Sequence, residues 1–247
     1  MLPGAVTPFA AVWFDCDSTL SAIEGVDELL QWAPPSLRAE ILQLTEQAMA
    51  GTLPLAEVYE RRLARLAPRR EQLDAIGALY VRRLVPDALA VVQALQSLGK
   101  DVGILSGGLL VPVQIVAAHL GILADHVHAV PLHFAADGSY LDFDRSSPLW
   151  RNGGKVVVVQ QHLQHLRPMA FVGDGITDAE TAGHVARFVG FGGVVARPAV
   201  RARSEHFVTE ASLAAVLPHV LTDAERRQLA ADPRFPTLRP FLDARHP

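Results

Sequence analysis

The stretch that decides the fold of this chain is Ala-Val-Trp-Phe at residues 11–14, followed at once by Asp-Cys-Asp-Ser-Thr at residues 15–19. An apolar run of this length that ends abruptly predicts a buried strand. Two carboxylates, Asp15 and Asp17, are costly to place at the end of such a strand unless they do chemistry. Asp, Ser and Thr are also ordinary residues of exposed turns and helix caps. This segment alone is therefore compatible with either a catalytic strand end or an exposed turn.

A second apolar run with the same ending lies far downstream. Residues 169–173, Met-Ala-Phe-Val-Gly, lead into Asp174 and, four residues later, Asp178. Between the two runs, residues 102–105 end in Ser-Gly-Gly at 106–108, which supplies a hydroxyl and unshielded backbone N–H groups. Because the carboxyl ends of parallel strands share one edge of a sheet, we expect these polar residues to meet at a ligand-binding edge.

The order of the predicted elements indicates an α/β fold with a doubly wound, Rossmann-like parallel sheet. Helical patterns at 87–98 and 109–120 alternate with strand-like segments. These segments lie at 11–14, 102–105, 127–132, 169–173, 187–191 and 206–209.

About 85 residues separate the first two predicted strands, far more than one crossover helix needs. Proline at or before the helix starts predicts four inserted helices, at 25–33, 36–50, 54–66 and 69–84. We therefore expect a helical-bundle cap over residues 21–84, inserted into an α/β core of residues 1–20 and 85–220.

Two further segments complete the predicted organisation. Alternating residues at 130–134 and 140–143 flank a glycine-containing turn, which predicts a small β-hairpin flap. Residues 221–247 read as a helix at 222–231 and a proline-rich end, and we expect a C-terminal extension whose role the sequence does not assign.

The composition excludes several classes of protein. The chain has 247 residues, half of them apolar, and a net charge of −4 without a basic face, which disfavours nucleic-acid and membrane partners. The single cysteine, Cys16, excludes an internal disulfide, and the first residues lack the pattern of a secretory signal. We expect a cytoplasmic protein, either a monomer or a homodimer, that acts on a small molecule.

The predicted edge suits the hydrolysis of a phosphate monoester, which requires charge neutralisation, an in-line nucleophile and a proton for the leaving oxygen. Asp15 is the candidate nucleophile and would form an aspartyl-phosphate. Asp17, two residues on, can act as the acid and then the base, which requires a raised pKa. Two anions facing a phosphate require a cation between them, and oxygen ligands from Asp15 and Asp174 suit Mg²⁺.

Candidate phosphate ligands come from three further positions. Ser106 and the Gly107 N–H can hold phosphoryl oxygens at a helix entrance, and Lys155 is the candidate cation opposite them. Taken alone, Lys155 fits a surface charge better than a site residue. Asp178 can orient Lys155 or a metal-bound water, or it can simply be a first-turn helix acid.

These motifs together resemble the haloacid dehalogenase-like phosphatase superfamily, which carries the motif of residues 15–19, a Ser, a Lys and the Gly-Asp-Gly-Ile-Thr-Asp motif of 173–178 in this order. The resemblance covers most of residues 10–220 and narrows to members that hydrolyse O-phospho-L-serine in serine biosynthesis. It implies Asp15 as nucleophile, Asp17 as acid and base, and Mg²⁺ on the Asp15 and Asp174 carboxylates and the Asp17 carbonyl.

The same resemblance implies how a substrate is held. Glu24 and Arg62 match the residues that bind its ammonium and carboxylate groups, and Met49 matches an apolar position of the pocket. Thr177 stands where some relatives carry Asn and keeps a hydroxyl for hydrogen bonding. Arg62 also lies within the apolar stripe of the predicted helix 54–66, where a permanent cation needs an anion. That anion is either a substrate carboxylate or a cap acid such as Glu46 or Glu57.

Two alternatives to phosphoserine hydrolysis stay open at this stage. The same site could act on another small phosphomonoester, such as phosphoethanolamine or a sugar phosphate, or pass the phosphoryl group to an alcohol. A phospho-aspartate signalling module also combines acids, a hydroxyl and a lysine, but it needs neither an acid such as Asp17 nor a large cap.

Overall fold

The computed structural model describes residues 8–49 and 53–243, and the side chains of 46–49 lie outside the description. The strands follow the apolar runs of the sequence. In chain order they are β1 (Ala11–Phe14), β2 (Asp101–Leu109), β3 (Val127–Val130), β4 (Leu132–Phe134), β5 (Tyr140–Phe143), β6 (Met169–Gly173), β7 (Arg187–Phe191) and β8 (His206–Val208).

A six-stranded parallel sheet organises the molecule, in the order β3-β2-β1-β6-β7-β8. Phe14, the last residue of β1, pairs with Ile104 of β2 and Val172 of β6. Because all three strands run in the same direction, their carboxyl ends meet at one edge. The predicted doubly wound α/β fold is confirmed.

The helices lie on the faces of this sheet and in the insert between β1 and β2. In chain order they are α1 (Gly25–Glu28), α2 (Pro35–Met49), α3 (Leu55–Leu66), α4 (Arg70–Arg82), α5 (Ala88–Ser97), α6 (Leu110–Leu120), α7 (Gly154–Gln161), α8 (Ile176–Ala179), α9 (Pro198–Arg201), α10 (Leu217–Val220), α11 (Asp223–Ala230) and α12 (Arg239–Leu242).

Several predicted elements have different bounds in the structure. The strand predicted at 127–132 ends at Val130 as β3, and Leu132 begins β4. The helix predicted at 25–33 is the single turn α1, continued as a 3₁₀ turn over Leu29–Trp32. The strand predicted at 102–105 continues to Leu109, because the extended backbone through Ser-Gly-Gly reaches Val130 of β3. The longer strand carries the predicted phosphate ligands at its carboxyl end.

The inserted helices are held to the core at several points. In the insert, Ile41 and Leu44 of α2 pack with Val58 of α3 in a small cluster of their own. Helix α4 lies against α6, where Gly77 leaves room for the side chain of Ile115. The domain boundary itself, residues 21–84, stays a prediction.

The hairpin flap is present as the antiparallel pair β4–β5. Arg145, just after β5, donates hydrogen bonds to Glu60 of α3 at 2.8 Å and to Asp142 of β5 at 3.0 Å. The flap is thereby tied to the inserted helix α3.

The segment after residue 220 packs against the sheet core. Leu229, Leu238 and Leu242 are buried within the main hydrophobic cluster. Buried Lys100 donates to the Phe9 carbonyl at 2.8 Å and to Glu225 of α11 at 2.6 Å. Among the helices described, each is either too short or too polar to span a bilayer.

Candidate active site

Three buried carboxylates converge at the carboxyl edge of the sheet. Asp15 follows β1, Asp174 follows β6, and Asp178 lies in the first turn of α8; one oxygen from each lies within 4.8 Å of the others. The parallel register of β1 and β6 brings the first two together, and the short turn after β6 returns the third to the same point. The arrangement is a buried acidic cluster that can hold a divalent metal ion.

Lys155 balances part of this negative charge. Its ammonium lies 3.0 Å from Asp15 Oδ1 and donates to Asp178 Oδ1, and its side chain is only 3% exposed. Burial alone would lower the pKa of Lys155, but the Asp15 and Asp178 carboxylates raise it above its ordinary value. Lys155 is therefore a permanent buried cation at this edge.

The backbone before Lys155 sets its position. Gly153 has a φ of +74°, and its N–H donates to Glu180 Oε2 at 2.6 Å, so the chain turns sharply into α7. Residues 156–159 are four consecutive valines, which favour strands, yet they form helix α7. Val158 and Val159 are buried, so packing against the core overrides their local preference.

Asp174 is held by two donors from different elements. The Thr19 hydroxyl donates to its Oδ1 at 3.1 Å, and Arg197, the residue before α9, donates to its Oδ2. Burial and the charges of Asp178 and Asp15 raise the pKa of Asp174 to about 9. This repulsion shows that the donor set fits a cation, because a divalent ion between the carboxylates would relieve it.

Asp17 lies beside this cluster with one oxygen anchored. Its Oδ1 accepts from the Gly25 N–H at 2.8 Å and from the Tyr80 hydroxyl. Burial, with the charges of Glu24 and Asp15, raises the pKa of Asp17 well above its ordinary value. A raised pKa favours the protonated form of the carboxyl group, which a general acid requires.

The end of β2 lies beside the acids, next to the end of β1. Ser106 is buried, and its Oγ accepts the Gly108 N–H at 3.0 Å. A Cβ at position 107 would lie 3.2 Å from the Leu149 carbonyl, so glycine allows the close passage of this loop. Ser106 and Gly107 thus lie at the same sheet edge as Asp15 and Asp174.

The residues predicted to bind the amino-acid part of the substrate lie on different elements. Glu24 precedes α1 and accepts from the Ser18 hydroxyl at 2.7 Å and from Arg197 at 3.2 Å. Thr177 is half-buried in α8, next to Asp178. Met49 is the last residue of α2, and its side chain lies outside the described part of the chain.

Arg62 faces the interior of the insert, as its position in the apolar stripe predicts. It is bonded to Asp27 of α1, its side chain is 15% exposed, and its buried Nε has no hydrogen-bond partner among the described residues. Of the two cap acids considered above, Glu57 is bonded to Arg61 instead, and the Glu46 side chain lies outside the described residues.

Thr19, Tyr80 and Arg197 also contact predicted site residues, although no motif of the sequence assigns them a role. Arg197 follows the glycine pair after β7, so the rule that ligands gather at the carboxyl edge of a parallel sheet could have pointed to it. Tyr80 lies on the apolar face of α4, where a phenol needs a polar partner. Its partner, Asp17, lies 63 residues earlier and is not evident from sequence.

The comparisons with known proteins agree with this geometry. The family model of haloacid dehalogenase-like hydrolases matches residues 12–183. The chain belongs to the haloacid dehalogenase-like hydrolase family. Within it, similar curated proteins are the phosphoserine phosphatases of Bos taurus, 35% identical over 202 residues, and Homo sapiens, 34% identical over 202 residues. Each match covers 81% of this chain and 89% of the relative.

Solved structures share the fold. A phosphoserine phosphohydrolase-like protein of Francisella tularensis has a TM-score of 0.72 at 24% identity, covering 89% of this chain and 98% of that one. A phospho-aspartyl intermediate analogue of phosphoserine phosphatase has a TM-score of 0.72 at 22% identity. The match covers 87% of this chain and 100% of that one.

Proposed function

We propose that this protein is a Mg²⁺-dependent phosphomonoesterase that hydrolyses O-phospho-L-serine to L-serine and phosphate through an aspartyl-phosphate. The observation that carries the proposal is the buried convergence of Asp15, Asp174 and Asp178 with Lys155 at the sheet edge. Relatives named phosphoserine phosphatase, at 35% identity over most of the chain, support the choice of substrate.

In this proposal Asp15 attacks phosphorus. Its Oδ1 lies 3.0 Å from the Lys155 ammonium and accepts the Cys16 N–H at 2.7 Å, so we assign the attack to Oδ2. The lone pair of Oδ2 forms the new bond to phosphorus while the ester P–O bond breaks. In this proposal Lys155, the Ser106 hydroxyl and the Gly107 N–H bind the phosphoryl oxygens.

Asp17 moves the proton in both halves of the reaction. It protonates the serine oxygen as that oxygen leaves, and it then takes a proton from the water that attacks the aspartyl-phosphate. The second step releases phosphate and restores the Asp15 carboxylate. A Mg²⁺ ion held by the Asp15 and Asp174 carboxylates and the Asp17 carbonyl would neutralise phosphate charge and polarise the phosphoryl oxygens.

The insert supplies the proposed contacts to the amino-acid part of the substrate. Arg62 has a buried Nε without a partner, and a substrate carboxylate would satisfy it. Glu24 would hold the ammonium group, while Met49 and Thr177 would line the pocket. We also propose that residues 21–84 act as a cap, that the protein is cytoplasmic, and that it is a monomer or a homodimer.

The deciding experiment is release of inorganic phosphate from a panel of monoesters, with and without Mg²⁺. Phosphoserine, phosphoethanolamine and a sugar phosphate are compared in the wild type and in Asp15→Asn. We expect Mg²⁺-dependent turnover with the highest kcat/KM on phosphoserine and none in Asp15→Asn. A higher kcat/KM on phosphoethanolamine or the sugar phosphate would reassign the substrate. A lasting phosphorylated Asp15 with negligible turnover would indicate a signalling module instead.

A further inference from the structure

One side chain of the insert contacts the proposed general acid directly. Tyr80 of α4 is fully buried, and its hydroxyl donates a hydrogen bond to Asp17 Oδ1. The Gly25 N–H donates to the same oxygen at 2.8 Å. Two donors on one carboxyl oxygen fix the rotation of that group.

The contact is built from two distant parts of the chain. A Cβ at position 25 would overlap the Tyr80 hydroxyl, so a glycine at the start of α1 leaves the space that the phenol fills. The end of α4 is held as well, because the Ser21 hydroxyl donates to the Tyr80 carbonyl at 3.0 Å and to the Arg83 carbonyl at 3.2 Å. Tyr80 therefore has little freedom to leave Asp17.

The second oxygen of Asp17 faces the other way. A Cβ placed on Gly108 would lie 2.7 Å from Asp17 Oδ2 and 3.1 Å from Ser106 Oγ. Oδ2 is thus next to the end of β2, where the phosphoryl group is proposed to bind. With Oδ1 occupied by Tyr80 and Gly25, Oδ2 is the oxygen that faces the substrate.

We propose that Tyr80 is a positioning residue that holds Asp17 so that Oδ2 delivers the proton to the leaving oxygen. The inference rests on the proposed function. When the ester P–O bond breaks, its electron pair stays on the serine oxygen, which takes the proton from Oδ2 and leaves as an alcohol. Without the Tyr80 hydroxyl, only the Gly25 N–H holds Oδ1, so the carboxyl group gains freedom to rotate and delivers the proton less accurately.

The test uses the leaving group, because a good leaving group needs no proton. Tyr80→Phe keeps the ring and removes the hydroxyl. We expect kcat/KM on phosphoserine, whose leaving alkoxide is strongly basic, to fall roughly tenfold. On p-nitrophenyl phosphate, whose phenolate leaves unprotonated, the same variant should lose less than about twofold. The parameter kcat/KM is used because it reports the first phosphoryl transfer.

Two further variants separate positioning from stability. Ser21→Ala removes only the hydroxyl that bonds the end of α4 and keeps the backbone bridge between Ser21 and Asp17. It should therefore lower the melting temperature and leave the ratio of the two kcat/KM values unaltered. Gly25→Ala displaces the phenol from the other side and should reproduce the leaving-group dependence of Tyr80→Phe.

Equal losses on both esters in Tyr80→Phe, or no loss on either, would overturn the inference. In either case a wild type that hydrolyses phosphoserine leaves the proposed function standing. A wild type without phosphatase activity on any monoester would remove the proposed function and the inference with it.

Discussion

Lys155 Nζ lies 3.0 Å from Asp15 Oδ1 and also donates to Asp178, so one buried ammonium joins a carboxylate that follows β1 to one that follows β6. Burying a lone ion is costly, and each of these groups tolerates burial because the others are present. The charges that stabilise the site are the same groups that the proposed reaction uses.

Lys155→Met should therefore cost both stability and activity. The substitution leaves two buried carboxylates without their cation, and we expect the free energy of unfolding, measured by urea titration, to fall by about 3–5 kcal/mol. The kcat of the folded protein should fall at least about 100-fold, because a phosphoryl ligand is lost.

Lys100→Met is the matched control, since Lys100 is also buried and paired, but with Glu225. It should lower stability and keep kcat; a loss of kcat as large as that in Lys155→Met would contradict this account.

Arg62→Ala should change substrate preference. In the proposed site Arg62 binds the substrate carboxylate through charge-assisted hydrogen bonds. The loss of that binding free energy should raise KM for phosphoserine roughly 100-fold. KM for phosphoethanolamine, which lacks the carboxylate, should change by less than about threefold. Steady-state kinetics on both esters measure this difference.

Arg61→Ala on the same helix is the control for Arg62. Arg61 is 53% exposed and bonded to Glu57, so its removal should leave both KM values unaltered. Equal increases of KM on the two esters in Arg62→Ala would remove Arg62 from the substrate site.

Mg²⁺ should stabilise the folded protein. A ligand that binds only the native state raises the melting temperature. Burial, together with the charges of Asp178 and Asp15, raises the pKa of Asp174 to about 9, and a bound divalent ion would offset the charge repulsion. Thermal melting with and without about 10 mM Mg²⁺ should show an increase of several degrees. Asp174→Asn should abolish that increase, while Asp232→Asn, remote from the site, should retain it. An equal increase in wild type and Asp174→Asn would place the ion elsewhere.

Stability should fall below neutral pH because of His128. Burial lowers the pKa of His128 from its ordinary value of 6.5, and the nearby His162 and His126 lower it further. The unfolded chain then binds a proton more readily than the folded chain, so stability is highest above pH 6.5 and declines as the pH drops through the lowered pKa. Urea unfolding between about pH 5 and pH 8 measures this decline.

His128→Phe keeps a ring in place of the imidazole. The centroid of that imidazole lies 5.7 Å from the Trp13 ring centroid and 5.9 Å from the His162 ring centroid. The variant should show a weaker pH dependence of stability, whereas His119→Gln, at an exposed position on α6, should retain that of the wild type. An undiminished pH dependence in His128→Phe would show that other groups cause it.

The sheet and its acidic edge could be predicted because β1 and β6 are continuous apolar runs that end in Asp15 and Asp174. The place of Lys155 is harder to predict, because the four valines after it favour a strand and only packing makes them helical. The Asp27 partner of Arg62 and the Tyr80 partner of Asp17 depend on how inserted helices cross, which spacing within one segment does not determine. Arg197 depends on where a loop returns after β7.

The nucleophile proposed here follows β1, which is flanked on both sides by paired strands. A side chain anchored in the middle of a sheet cannot shift without breaking backbone pairing on two sides, so its position is the fixed reference of the catalytic cycle. Any conformational change on substrate binding must then occur in the inserted helices and the flap. Evolution of new preferences in such a protein can therefore proceed in those parts while the attacking atom stays where it is.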